Sequence, residues 1–330
     1  MVMQGLRVYH DNDIDIECLG GRRVAIIGFG SQGMAQALNL RESGIEVIIG
    51  SATSRSRRKA RELDFECLSV NKAASGGDII AFLFPDHLHQ EVYLAEVAPE
   101  LFPGKTLLFA HGFSIHFGLI KPPDMVDVIL VAPHAPGELM RERYLHEKGV
   151  ACFVAVHTDY SNAARSTALA YAKALGCGRS GVFETTFKDE AVGDIFGEQV
   201  ALCGGLSELL EAAFETLVIG GLSPGNAYLE CVQQLDLIVE LIKKYGIAGM
   251  YDRISDVAEY GAYSIKGKII NDHSRRAMRA ILEDIKKGRF TNKLMKDYRK
   301  GFPNYHKKKR KQAEHPINSV GEVIRGQVIE

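Results

Sequence analysis

Residues 28–33, Gly28-Phe29-Gly30-Ser31-Gln32-Gly33, have the glycine spacing of a turn built to hold a pyrophosphate. They follow an apolar run at 24–28 and open a helical apolar pattern at 34–43. In that setting the first two glycines permit a tight turn and close backbone approach, and the helix start supplies amide donors and a favourable dipole. The next apolar run ends at Ile49-Gly50, where a site for an unphosphorylated dinucleotide presents Asp or Glu to the ribose hydroxyls. Here Ser54, Arg55, Ser56 and Arg57 follow instead. Hydroxyls and guanidinium groups suit a 2′-phosphate, so the expected cofactor is NADP(H).

Asp194 and Glu198 lie four apart in DIFGEQ and share one face of a helix. Glu230 lies in AYLECVQQLDLIVEL, with Gln234 four residues on. Oxygen donors of this kind suit Mg²⁺, although acidic pairs at this spacing also make ordinary solvated faces. The flanking residues are apolar, which favours burial, and a buried carboxylate needs a compensating cation. His111 follows the run at 106–112 and His134 follows that at 127–133. Strand carboxyl ends are where an open α/β sheet binds ligands, so either histidine can move protons, orient substrate or simply cap the chain. Ser255 in RISDVAEYG suits a carboxylate ligand or a helix cap.

The elements that must position these groups divide the chain in two. Apolar runs at 24–28, 45–49, 78–84, 106–112, 127–133 and 151–156 read as buried parallel strands, with helical stretches at 34–43 and 160–175 among them. This alternation predicts a doubly wound α/β Rossmann domain over 1–186. From 187 to 330 the patterns at 189–218, 224–245 and 274–287 predict an all-helical domain carrying the metal and substrate ligands.

Composition excludes several classes. A net charge of −1 over 330 residues gives no general attraction to nucleic acid or anionic membrane. The basic stretch 286–311 reads as a solvated surface. No apolar run approaches the roughly 20 residues of a membrane span, and the N-terminus lacks a signal-peptide pattern, so the cytoplasm is expected. Six scattered cysteines without a CxxC pair read as small buried groups.

The segments GFGSQGMAQALNLRESG, FAHGFSIHFG, VAPHAPG, ETTFKDE, DIFGEQVALCGG, AYLEC, ISDVAEYG and AEHPINSVG resemble, in order and almost end to end, the short-form ketol-acid reductoisomerases. The resemblance implies a knotted helical domain that forms a homodimer, or a larger assembly of dimers, with active sites at the interface. It also implies a reaction. A 2-acetohydroxy acid such as acetolactate chelates two Mg²⁺ ions, an alkyl group migrates, and NADPH reduces the resulting 2-oxo acid to a 2,3-dihydroxy acid for branched-chain amino-acid synthesis. Carried over, Asp194 is a bridging metal ligand, Glu198 a ligand of one metal, and Glu230 a ligand supplied by the second copy. Ser255 contacts the substrate carboxylate and His111 is the active-site histidine. Asp86, in FPDH, and Gly137, in VAPHAPG, join the cofactor side.

The chain departs from the family at the chemistry. His134 stands where the family has Lys, Gln234 where it has Glu, and His87 where Glu follows Pro-Asp. Glu to Gln weakens attraction for a second Mg²⁺, and Lys to His replaces a fixed cation. The alternative expectation is therefore a divergent dehydrogenase or oxidoisomerase of another 2-oxo or 2,3-dihydroxy acid, with migration lost. A catalytically silent cofactor-binding protein is a third, against which the retained carboxylates and His111 argue.

Overall fold

An uninterrupted apolar run can bury both strand faces only in the interior of a sheet. In the computed structural model, which describes residues 6–327, the runs do so. One sheet contains β1 (Val8–Tyr9), β2 (Arg23–Ile27), β3 (Glu46–Gly50), β4 (Glu66–Leu68), β5 (Ile79–Phe82), β6 (Thr106–Phe109), β7 (Asp127–Pro133), β8 (Cys152–Thr158) and β9 (Val182–Glu184). Their spatial order is β1-β9-β8-β7-β6-β5-β2-β3-β4. Strands β2 to β7 are parallel, and the order reverses between β2 and β5. A crevice at the carboxyl ends of those two strands is therefore the expected ligand site.

Helices α1 (Ser31–Glu42), α2 (Ser54–Glu62), α3 (Val70–Gly76), α4 (Asp86–Val92), α5 (Phe113–His116), α6 (Gly137–Leu145) and α7 (Ala164–Ala174) complete this part. Side chains alternate across the sheet. Val24 and Ile26 pack with Ala35, Leu40 and Ala168 on one face. Ala25 and Ile27 pack with Ala73 and Val97 on the other.

One expected direction is corrected: β8 runs antiparallel to β7. After Pro133, α6 packs against α1 rather than crossing back along the sheet, so the chain re-enters from the same edge. Strand β9 then pairs parallel to β8, and β1 antiparallel to β9.

The chain divides into two compact units at Gly193/Asp194, within α8 (Phe187–Gly197). Among the described residues beyond that point there are no strands. Helices α9 (Gly204–Ile219), α10 (Pro224–Tyr228), α11 (Leu235–Tyr251), α12 (Asp256–Ser264), α13 (Asp272–Lys286), α14 (Arg289–Tyr298), α15 (Pro303–Ala313) and α16 (Pro316–Arg325) follow. Two wide π turns, Glu198–Leu202 and Leu229–Gln233, interrupt the expected α-helical spacing. Glycine explains the first: Cβ atoms at Gly204 and Gly205 would lie 2.2 and 1.9 Å from the carbonyls of Gln199 and Val200. Phe214, Ala227, Tyr228 and Ile317 form a small core in this unit, whereas Ile219, Val257 and Tyr260 are exposed.

Candidate active site

The phosphate turn lies at the carboxyl end of β2 and opens α1, as its glycines demand. Gly28 has φ +96°, and a Cβ there would sit 2.6 Å from the Leu83 carbonyl. Its amide donates to the Gly50 carbonyl at 2.9 Å, which ties the turn to β3. A Cβ at Gly33 would lie 2.2 Å from the Gly28 carbonyl, so the helix closes directly on the turn. At Gly30 a Cβ would meet nothing within 4 Å. That open cradle at a helix N-terminus is what a pyrophosphate requires. Gln32 donates from Nε2 to the Ala135 carbonyl at 2.7 Å. Gly137 opens α6 so close to Ser31 that a Cβ would lie 2.3 Å from its carbonyl. Gly137 thus packs the two helix starts together beside the turn.

Beyond the turn runs a groove of about 280 Å³, walled by Gly50, Ser51, Thr53 and Ser56 on one side and by Phe84, Leu88 and Val92 on the other. Thr53 caps α2 by accepting from the Ser56 amide at 3.3 Å. No acidic residue occupies the first turn of α2. Arg57 folds back, its Nε donating to the Ser51 carbonyl at 2.7 Å. Arg57, Arg58 and Arg61 line a neighbouring open depression with Ser54, while Arg55 is exposed on the same helix. Arg58 and Arg61 were not among the residues singled out from sequence; the i+4 and i+3 spacing of Arg61 from Arg57 and Arg58 was the available signal. Arg57→Ala is expected to raise the KM for NADPH about tenfold, loss of one charge-assisted contact, and to change that for NADH less than about twofold. Initial-rate kinetics with both cofactors check this; equal effects on the two would remove Arg57 from 2′-phosphate recognition.

The groove continues into a smaller cavity of about 240 Å³ lined by Gln32, Phe84, Pro85, Asp86, His89, Ala110 and His111. His111 leaves the end of β6, and its Nδ1 lies 3.5 Å from Asp86 Oδ2. The loop holding it is fixed from behind. Glu190, 5% exposed on α8, accepts from the Gly112 amide at 2.6 Å. A Cβ at Gly112 would meet the Phe187 carbonyl at 2.5 Å, so glycine is needed for that approach. Sequence reading missed Glu190, although the ETTFKDE segment contains it. His134 is exposed after β7, its ring 4.3 Å from that of Phe153 in an edge-on contact.

Thus Gly28–Gly33, Ser54–Arg57, Asp86, His111, His134 and Gly137 all belong to the first unit and gather at one edge of the sheet. Asp194, Glu198, Glu230 and Ser255 belong to the second. Asp194 is exposed on the last turn of α8, and Glu198, also exposed, begins the π turn that follows. Gln234 donates from Nε2 to Glu230 Oε2 at 3.3 Å. Ser255 caps α12, accepting from the Ala258 amide at 3.3 Å. Among the described residues, no group of three or more His, Cys, Asp or Glu side chains is placed to hold a metal ion. Exposed carboxylates on successive turns are nonetheless the hard oxygen donors that suit Mg²⁺, with further donors to come from substrate, water or a second chain.

Fold and groove define a dinucleotide-binding protein of Rossmann type. Residues 18–181 match the acetohydroxy acid isomeroreductase NADPH-binding domain, and residues 187–329 the ketol-acid reductoisomerase C-terminal domain. An NADH-preferring ketol-acid reductoisomerase from an uncultured archaeon is 41% identical, with a TM-score of 0.95 over 98% of this chain and 100% of that one. The chain belongs to the ketol-acid reductoisomerase family. A semialdehyde dehydrogenase NAD-binding protein from Cupriavidus necator is 18% identical at TM-score 0.63, covering 81% of this chain and 98% of that one, a likeness of fold alone. Among the described residues, no helix is long and apolar enough to cross a membrane.

Proposed function

We propose that the chain is a working ketol-acid reductoisomerase, which rearranges and reduces a 2-acetohydroxy acid to a 2,3-dihydroxy acid in branched-chain amino-acid synthesis. The observation that carries this reading is the retention of Asp194 and Glu198, exposed on successive turns, in a chain matched by the family over residues 18–181 and 187–329. Simple hydride transfer needs no such pair. Asp194 and Glu198, with Glu230 from a second copy, would hold Mg²⁺, which supplies Lewis acidity when bound. The Gly30 cradle would hold the pyrophosphate of NADP(H), which supplies hydride when bound.

The chain's own residues do the rest. His111 lines the cavity next to the groove, where it would hold or move a proton at the reacting oxygens. The Ser255 hydroxyl and the α12 N-terminus suit the substrate carboxylate. Absence of an acid after β3, together with Arg57 and Arg58, supports preference for NADP(H). Exposed Ile219, Val257 and Tyr260 support a dimer or larger assembly in which they are covered. A cytoplasmic location follows from the same reading. Incubation with 2-acetolactate, NADPH and Mg²⁺ tests it by product. The rearranged 2,3-dihydroxy acid is expected; reduction without rearrangement would refute it.

The Gln234–Glu230 hydrogen bond favours a second reading, because it engages a carboxylate oxygen otherwise free for metal. In that reading migration is impaired and the enzyme acts on another 2-oxo or 2,3-dihydroxy acid. The double substitution His134→Lys with Gln234→Glu is then expected to raise Mg²⁺-dependent acetolactate turnover about tenfold, roughly 1.4 kcal/mol. Unchanged turnover would show that these positions do not limit the enzyme.

A further inference from the structure

Beside His111 runs a polar relay, half-buried at Asp86 and fully buried at His89. Asp86 opens α4 with Oδ2 3.5 Å from His111 Nδ1. Its Oδ1 lies 3.7 Å from Nδ1 of His89. His89 is 2% exposed and is enclosed by the rings of Phe82, Phe84 and Phe109. Its Nε2 lies 2.9 Å from the Phe84 carbonyl oxygen and its Nδ1 2.9 Å from Ser114 Oγ. A carbonyl only accepts, so Nε2 carries the proton. Burial pushes the ring's pKa below its ordinary value despite the nearby Asp86 charge, so the ring is neutral and Nδ1 accepts from the Ser114 hydroxyl. Both ends of His89 are then occupied, and it offers no proton to Asp86.

Asp86 is left to His111. Burial alone would raise its pKa. Against that, the hydrogen bond and charge of His111, with a backbone hydrogen bond, hold it below the usual carboxylate range, so it is an anion at neutral pH. The other titratable groups around the relay are His87 and Glu91 on α4, and Glu190, which reaches the Gly112 amide from α8.

We propose that Asp86 is the positioning residue for His111, holding the imidazole through Nδ1 so that the other nitrogen serves the reaction, and that His89, held at both ring nitrogens by Phe84 and Ser114, keeps Asp86 committed to that task. The proposal deepens the reductoisomerase reading and rests on it for the identity of the reaction. A carboxylate behind a working imidazole sets its tautomer and steadies its charged form, and loss of that anion costs rate rather than binding.

The test uses the full-length protein. Asp86→Asn is expected to lower kcat with NADPH and 2-acetolactate about 100-fold, with KM changed less than about threefold and Tm within about 2 °C. The pH profile of kcat should move, and Asp86→Glu should recover part of the loss. A glutamine amide can donate to Phe84 and accept from Ser114, so His89→Gln should retain at least about tenfold more activity than His89→Leu. In ¹⁵N-histidine NMR without substrate, His89 should be the neutral Nε2–H tautomer at pH 7, and the His111 nitrogens should shift on Asp86→Asn. The proposal is overturned if Asp86→Asn leaves kcat, its pH profile and the His111 nitrogens unchanged, or if His89 carries two protons at pH 7. A wild-type protein inert toward acetolactate would sink the functional reading instead, while the NMR comparison would still decide the relay.

Discussion

Replacing Asp194 with asparagine is expected to reduce acetolactate turnover by roughly 10³-fold, about 4 kcal/mol of transition-state stabilisation. The substitution is isosteric, so the loss is one of charge and donor strength. Asp194 is exposed on the last turn of α8, where a neutral amide costs the fold little. Thermal stability should stay within about 2 °C of the parent. NADPH affinity should not change, because the phosphate turn and groove belong to the other unit. The Mg²⁺ concentration giving half-maximal rate should rise, since a carbonyl oxygen is a weaker ligand than a carboxylate. Steady-state kinetics across a Mg²⁺ series, with a melting curve, separate these effects. Turnover within tenfold of the parent would remove Asp194 from the metal site.

The second large effect is expected at the phosphate turn, where two glycines can be told apart. Gly33→Ala places a methyl group 2.2 Å from the Gly28 carbonyl, and that carbonyl cannot yield without moving a turn tied to β3. A loss of about 2–4 kcal/mol of stability is expected, with NADPH binding at least about 100-fold weaker. Gly30→Ala meets no atom within 4 Å and its φ of −85° suits alanine, so the fold should be unchanged. Its methyl group occupies the cradle, and NADPH should bind about tenfold or more weakly. Thermal melts and fluorescence titrations with NADPH distinguish them. Equal NADPH affinity in Gly30→Ala and the parent would mean the pyrophosphate lies elsewhere.

What could be read from sequence was what local constraints dictate. The Gly28–Gly33 turn was legible because positive φ at Gly28 and close packing at Gly33 leave glycine no substitute there. The runs that became β2, β5 and β6 were legible because both faces are buried. The direction of β8 was not, since an apolar run has the same composition whichever way it runs. Strands β1, β4 and β9, at two or three residues, are too short for any periodicity. The helical spacing used for Asp194 and Glu198 carried no sign of the π turn, although the Gly204-Gly205 pair was its cause. In the site, Asp86 was read as cofactor-side, and only three-dimensional proximity reveals its contact with His111. His89 and Glu190 passed as ordinary polar residues because their partners, Phe84, Ser114 and Gly112, are backbone or hydroxyl groups without a distinguishing motif.

The central claim is that one chain both rearranges and reduces. NADPH oxidation measured with 2-acetolactate and, separately, with 3-hydroxy-3-methyl-2-oxobutanoate, each with and without Mg²⁺, tests it most directly. Turnover of both, with acetolactate strictly dependent on Mg²⁺, is the result predicted. Turnover of the second compound alone would contradict the claim, leaving a reductase whose isomerase step is lost.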